Sequence, residues 1–226
     1  SDVNFRKALC YAIDAAACAY TVYGEMGRVC NAPTNPYLED SGEEFGYDDY
    51  YGYDVDKAKS LLKEAGYANG GFTLDLICAQ SDYYETMAQL IQAYLEEIGI
   101  TVNLHVYEAT TLRTFIDTDE GNFDLYLNAH FIKTYLSDGM MNQLSTATSY
   151  GLNYAMVKDE KLDSLIMAAQ NPATASTDAT SEMLDYMKDV CYLYGITGLS
   201  KQIVTTDKIA KAAFNSANFI MPGACV

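Results

Sequence analysis

The sequence predicts an α/β fold, and three observations near its middle carry that prediction. Thr73 to Cys78 alternates as a strand, with Leu74 and Leu76 on one face. Ser81 then opens an amphipathic helix through MAQLIQAYLEEI, closed by Gly99. ITVNLHVY follows as a second strand, with Val102, Leu104 and Val106 pointing one way and His105 the other. A strand, a helix and a strand joined by short loops form a right-handed βαβ crossover with parallel strands.

The remaining elements extend this core. One helix is predicted from Asn4 to Tyr20, because Phe5, Leu9, Ala12, Ile13, Ala16 and Tyr20 recur at helical spacing and Gly24 follows as a stop. NAPTNPYLEDSGEEFGYDDYYGY holds two of the four prolines, lacks a period and reads as a surface loop. Its tyrosines (Tyr47, Tyr50, Tyr51, Tyr53) either stack on a ligand or pack the loop down. Asp54 caps a short helix, VDKAKSLLKEA, that ends at Gly66. A helix over Thr110–Asp117 and a third strand over Phe123–Ala129 come next. Helices follow over Asp159–Gln170 and roughly Ser176–Tyr194, then a mixed tail from Thr197 to Val226. No internal repeat is visible.

Composition excludes whole classes of function. At 226 residues and 50% apolar content the chain buries one large core or two small ones. The net charge of −17, from 14 cations against 31 anions, offers no basic stripe for nucleic acid and repels anionic lipid. No apolar run reaches the length of about 18 residues needed to span a bilayer. Six cysteines occur without a C-x-x-C unit, and Cys10, Cys18 and Cys78 occupy apolar positions where a free thiol packs as a small hydrophobe. The redox compartment stays open at this point.

Reactive motifs are weak. Ser60-Leu-Leu-Lys63 fits S-x-x-K, but Lys133-Thr134 precedes Ser137-Asp138 and neither companion tripeptide is completed. The acids between Glu43 and Asp56 lack the alternate spacing and closing Glu of a calcium loop. His105 and His130 lie on different strands without a clear third ligand, so no zinc site is predicted. No G-x-S-x-G, H-E-x-x-H, G-x-G-x-x-G or P-loop occurs. Neither a catalytic set, a metal nor a cofactor is expected.

Several segments together resemble one family. NFRKALCYAIDAAA looks like the opening helix of the later lobe in extracytoplasmic solute-binding proteins of ATP-driven peptide and nickel importers, the large oligopeptide-binding type. YDVDKAKSLLKEAGY is the most specific match. GNFDLYLNAHF and GLNYAMVKDEKLDSLIMAA resemble later segments, in the same order and spacing over about residues 3–195. The resemblance implies a periplasmic-binding-protein type II lobe, a βαβ core of mostly parallel strands flanked by helices. It also implies that residues 1–195 form the distal lobe of a two-lobed protein whose first lobe and signal peptide lie upstream. Residues 196–226 would then be a return segment toward that first lobe.

Function follows from the resemblance as expectation. The ligand is a peptide or another small solute, the partner is a membrane permease of an ABC importer, and the location is extracytoplasmic. In an open α/β sheet, ligands meet the carboxyl ends of the strands. Candidate contacts are therefore Gln80 and Ser81, Glu108, and His130 and Phe131, with Asn153 and Tyr154 from the GLNYAMVKDEKLDSLIMAA segment. In peptide-binding members the strand that starts "FD" leads to a Trp and, three residues on, an Asp that pairs with the peptide amine. Here His130 falls at the Trp position and Lys133 at the Asp position. A lysine repels an ammonium group in a desolvated cleft by several kcal/mol. Lys133 thus either faces an anionic group of the ligand or points at solvent. Two other readings are a surface interaction domain using the Tyr-rich acidic loop and an enzyme on a borrowed solute-binding fold.

Overall fold

The structure, a computed structural model, describes residues 2–33, 46–68, 70–117, 122–129, 144–146, 153–171 and 173–199. Helix α1 spans Val3–Ala12, with the Asp2 carboxylate accepting from the Asn4 N–H at 2.7 Å. The single helix predicted over Asn4–Tyr20 is in fact two. Ile13 is extended, and Asp14 caps α2 (Ala15–Tyr23) by accepting from the Ala17 N–H at 2.9 Å. Apolar spacing runs on across the break, but a short acidic side chain that can take an orphan N–H favours starting a new helix there. Gly24, at φ +57°, stops α2, and strand β1 (Gly27–Val29) follows.

Helix α3 (Val55–Glu64) begins where Asp54 accepts from the Lys57 N–H at 2.9 Å, as expected. The βαβ unit then forms from β2 (Thr73–Ala79), α4 (Asp82–Glu97) and β3 (Thr101–Tyr107), followed by α5 (Ala109–Asp117) and β4 (Leu125–Leu127). Sheet order is β3-β2-β4, and both pairings are parallel. At the amino edge, a Cβ on Gly70 would sit 2.4 Å from the Gly99 carbonyl oxygen. Both residues have positive φ, so this close approach is one that only glycine permits.

Alternation divides the sheet's faces. Leu74, Leu76, Cys78 and Val102 bury against α1, α3 and α4, together with Leu9, Leu62, Ala88, Ile91 and Leu95. That aliphatic cluster is the main core. On the opposite face Ile77 packs with Leu112 and Ile116 of α5 amid aromatic rings.

Helices α6 (Glu160–Gln170) and α7 (Thr177–Val190) pair with each other over a second cluster of Leu162, Ile166, Met183 and Met187. Asp159 starts α6, accepting from the Lys161 and Leu162 N–H groups, each at 3.0 Å, and from the Tyr186 and Tyr192 hydroxyls at 2.9 and 3.1 Å. Strand β5 (Thr197–Leu199) then pairs antiparallel with β1. Arg6 of α1 donates to the Val190 carbonyl at 2.9 Å and joins the end of α7 to the first helix. Tyr50 and Tyr51 are buried at this junction with Cys10 and Cys191. These two loop tyrosines pack inward, which removes them from the surface that a Tyr-rich contact loop would need. Among the described residues, no helix is long and apolar enough to cross a membrane.

Candidate functional site

All three parallel strands end at one edge of the sheet. Ala79 lies opposite Tyr107, and Cys78 opposite Leu127. One residue beyond β2, the exposed Gln80 donates its backbone N–H to the Tyr107 carbonyl at 2.7 Å. Ser81 occupies the cap position of α4, and its hydroxyl makes no bond to the first turn of that helix. The Ala129 N–H, just past β4, donates to the Tyr84 hydroxyl of α4 at 3.0 Å, so the exit of the third strand is anchored to the helix behind it.

Glu108 follows β3 directly, beside Gln80. Its carboxylate accepts from the Thr110 N–H at 2.9 Å, the Thr111 N–H at 3.3 Å and the Thr110 hydroxyl, which makes it the cap of α5. The Thr110 hydroxyl and these N–H groups hold its carboxyl below the usual carboxylate range. It therefore carries its negative charge at the strand ends at neutral pH.

Beneath this edge runs an aromatic band. Tyr107 stacks on Phe115 at 5.2 Å between centroids, Phe115 meets Phe123 at 6.4 Å, and Phe123 meets Tyr126 at 6.3 Å. Tyr154 closes the series edge-on to Tyr126 at 5.5 Å. The Arg113 guanidinium donates to the Tyr154 hydroxyl. Burial, then neighbouring Tyr154, pushes the Tyr126 phenol up to about 12, so it stays a neutral donor.

The structure thus brings Gln80, Ser81 and Glu108 to one edge and Tyr154 to the rings below it. Asn153 is held in its own loop, donating to the Val157 carbonyl at 2.8 Å and accepting from its N–H at 3.0 Å. His130, Phe131 and Lys133 lie outside the described residues. His105 lies two residues before the end of β3, where its ring stacks on Tyr107 at 6.4 Å and its Nε2 is 2.8 Å from Asp75 Oδ1. Sequence reasoning missed Tyr84, Phe115, Phe123 and Tyr126. Only the alternation in DLYLN hinted at Tyr126, because the band is assembled from four separate elements.

Amide, hydroxyl, carboxylate and ring faces at one edge are a set for hydrogen bonding and stacking. Among the described residues, no three His, Cys, Asp or Glu side chains converge on a metal-sized site. An α/β lobe with a parallel sheet of this kind is the fold of the type II periplasmic binding proteins. The structure superposes on the dipeptide-binding protein of Pseudoalteromonas sp. SM9913, solved with Met-Leu, with a TM-score of 0.75 at 24% identity, covering 97% of this chain and 44% of that one. The family described as bacterial extracellular solute-binding proteins, family 5 Middle, matches residues 1–151, and the chain belongs to that family. It is 38% identical over 112 residues to heme-binding protein A of Haemophilus influenzae and 36% identical over 115 residues to the dipeptide-binding protein of Escherichia coli. Each match covers 47% of this chain and 20% of the relative, so the chain spans less than half the length of the proteins it matches. The names of these two relatives state heme and dipeptide binding, and the family is one of solute-binding proteins, which supports a non-enzyme reading at the family level.

Proposed function

We propose that this chain is the distal, ligand-binding lobe of an ABC importer's solute-binding protein, and that it captures oligopeptide-like or other small solutes outside the cytoplasm. The observation that carries this reading is the common carboxyl edge of β2, β3 and β4, where Gln80, Ser81 and Glu108 stand over the Tyr107–Tyr154 band. The ligand is held without covalent chemistry. A first lobe closes over it by a hinge, and the closed form docks on a membrane permease. Within this reading, residues 196–226 return toward that first lobe, and Lys133 at the amine-pairing position favours a ligand that presents a carboxylate or phosphate there.

Native mass spectrometry of the full-length protein, purified without denaturant, tests this. A bound ladder of short peptides supports a peptide importer and places Lys133 away from the ligand amine. A single anionic solute, released by Lys133→Asp, supports the anion-facing role. A bare polypeptide mass, together with no rise in melting temperature across a peptide library, contradicts the reading.

A further inference from the structure

Two cysteines that the sequence keeps 181 positions apart meet in the interior. Cys10, on α1, and Cys191, just past α7, bring their sulfurs within 3.2 Å, and each residue is only 4% exposed. The surrounding backbone is fixed by contacts that do not involve sulfur. Arg6 holds the Val190 carbonyl, the Tyr51 hydroxyl donates to the Lys188 carbonyl, and the Gly195 N–H donates to the Tyr50 hydroxyl at 3.2 Å. Cys191 itself adopts a left-handed backbone, φ +52° and ψ +48°, at the helix C-terminus. Glycine or asparagine is the usual occupant of such a position, so a β-carbon is carried here at some steric cost.

We propose that Cys10 and Cys191 are joined as a disulfide in the mature protein, which ties the first helix to the exit of α7. The bond needs the sulfurs to close from 3.2 Å to about 2.0 Å, a movement of roughly 1 Å. The other described cysteines are poor candidates. Cys18 and Cys78 are fully buried among apolar side chains of the main core, and the sulfur pair in contact among the described residues is Cys10–Cys191.

The chemistry balances with a small-molecule or protein disulfide as oxidant. Cys191, once deprotonated, supplies the first thiolate, and its role is interchangeable with that of Cys10. That thiolate attacks one sulfur of the oxidant and expels the other as a thiolate. Cys10 then loses its proton and attacks the Cys191 sulfur of the mixed disulfide, expelling the second thiolate. Two thiols are oxidised to one disulfide, and one disulfide is reduced to two thiols. Because both sulfurs are buried in the folded chain, the exchange takes place during folding. The oxidising compartment rests on the extracytoplasmic reading above, whereas the sulfur geometry does not.

The test is oxidative refolding of the full-length protein in reduced and oxidised glutathione, then unfolding, alkylation without reductant, and peptide mapping. The expected map joins the Cys10 and Cys191 peptides, two hydrogens lighter than their sum, with Cys18, Cys30 and Cys78 alkylated. Reductant is expected to lower the melting temperature of this form by about 5–15 °C. A Cys10→Ser/Cys191→Ser double variant is expected not to respond to reductant. Alkylation of both Cys10 and Cys191 after oxidative refolding overturns the proposal. Protein taken from the extracytoplasmic fraction separates the two readings. If the pair is linked after glutathione refolding but alkylated in that sample, the pairing stands and the compartment does not.

Discussion

The two faces of the central sheet are made by the same three strands, yet they are built to different ends. On one face Leu74, Leu76, Cys78 and Val102 disappear under α1, α3 and α4, leaving Leu76 only 2% exposed. The other face keeps polar tips within reach of water. It carries the His105–Asp75 pair, with side chains 42% and 37% exposed, and the Tyr107–Tyr154 band, which the His105 ring joins by stacking on Tyr107 at 6.4 Å. Alternation along a strand lets one sequence serve both, because a change at an even position leaves its odd neighbours in place. The aliphatic face supplies the main cohesion, and the proposed recognition falls to the aromatic one.

The sharpest way to break this division is to truncate each face and compare. Leu76→Ala is expected to cost about 2–5 kcal/mol in urea unfolding, from lost burial and the cavity left behind. Tyr126→Phe keeps the ring on the opposite face and is expected to cost less than about 1.5 kcal/mol. Equal losses for the two would erase the distinction.

Next in size is the acid limb of stability. For Asp159, burial raises the carboxyl, but hydrogen bonds from the Leu162 N–H and the Tyr186 and Tyr192 hydroxyls outweigh it and leave the group below its usual range. A carboxyl depressed in the folded state stabilises the fold above its unfolded value, near about 4, and that contribution is lost as pH falls through the folded value. Asp159→Asn is therefore expected to cost about 1–3 kcal/mol at neutral pH and to flatten the decline of stability below about pH 4. Asp75 is lowered in the same direction, chiefly by the hydrogen bond from His105, but it stands in solvent. Asp75→Asn should move the same pH titration far less than Asp159→Asn does. A larger effect at Asp75 would mean that the His105–Asp75 pair is a structural clasp.

The smallest expected change in stability is also the most specific for function. Tyr154→Leu retains an apolar side chain against Tyr126 but loses the hydroxyl bonded to Arg113. It is expected to change the unfolding free energy by less than about 1.5 kcal/mol while weakening solute binding about tenfold, read by calorimetry with the co-purified solute. Unchanged affinity would detach the band from recognition.

How much of this was legible in the sequence follows from the range of the interactions. The β2-α4-β3 unit stood out because its period, its cap position at Ser81 and its stop at Gly99 all lie within one local stretch. The break at Asp14 was hidden, since Ala12, Ile13, Ala16 and Tyr20 keep helical spacing across it. Strand β1 left no trace because its partner is β5; Thr197 bonds the Arg28 carbonyl across 169 positions. The strand ends at Gln80, Ser81 and Glu108 could be named from the order of elements alone. That Glu108 would cap α5, that Asn153 would close its own loop, and that rings from four elements would form one band are tertiary facts that no local pattern carries.

The most direct test of the carboxyl edge as the solute site is hydrogen–deuterium exchange on the full-length protein, stripped of solute and then returned to it. Slower exchange is expected at residues 80–82, 108–110 and 128–129, with residues 27–29 and 197–199 unchanged. Protection confined to the β1–β5 pair, or no protection at the three strand ends despite saturating solute, would contradict it.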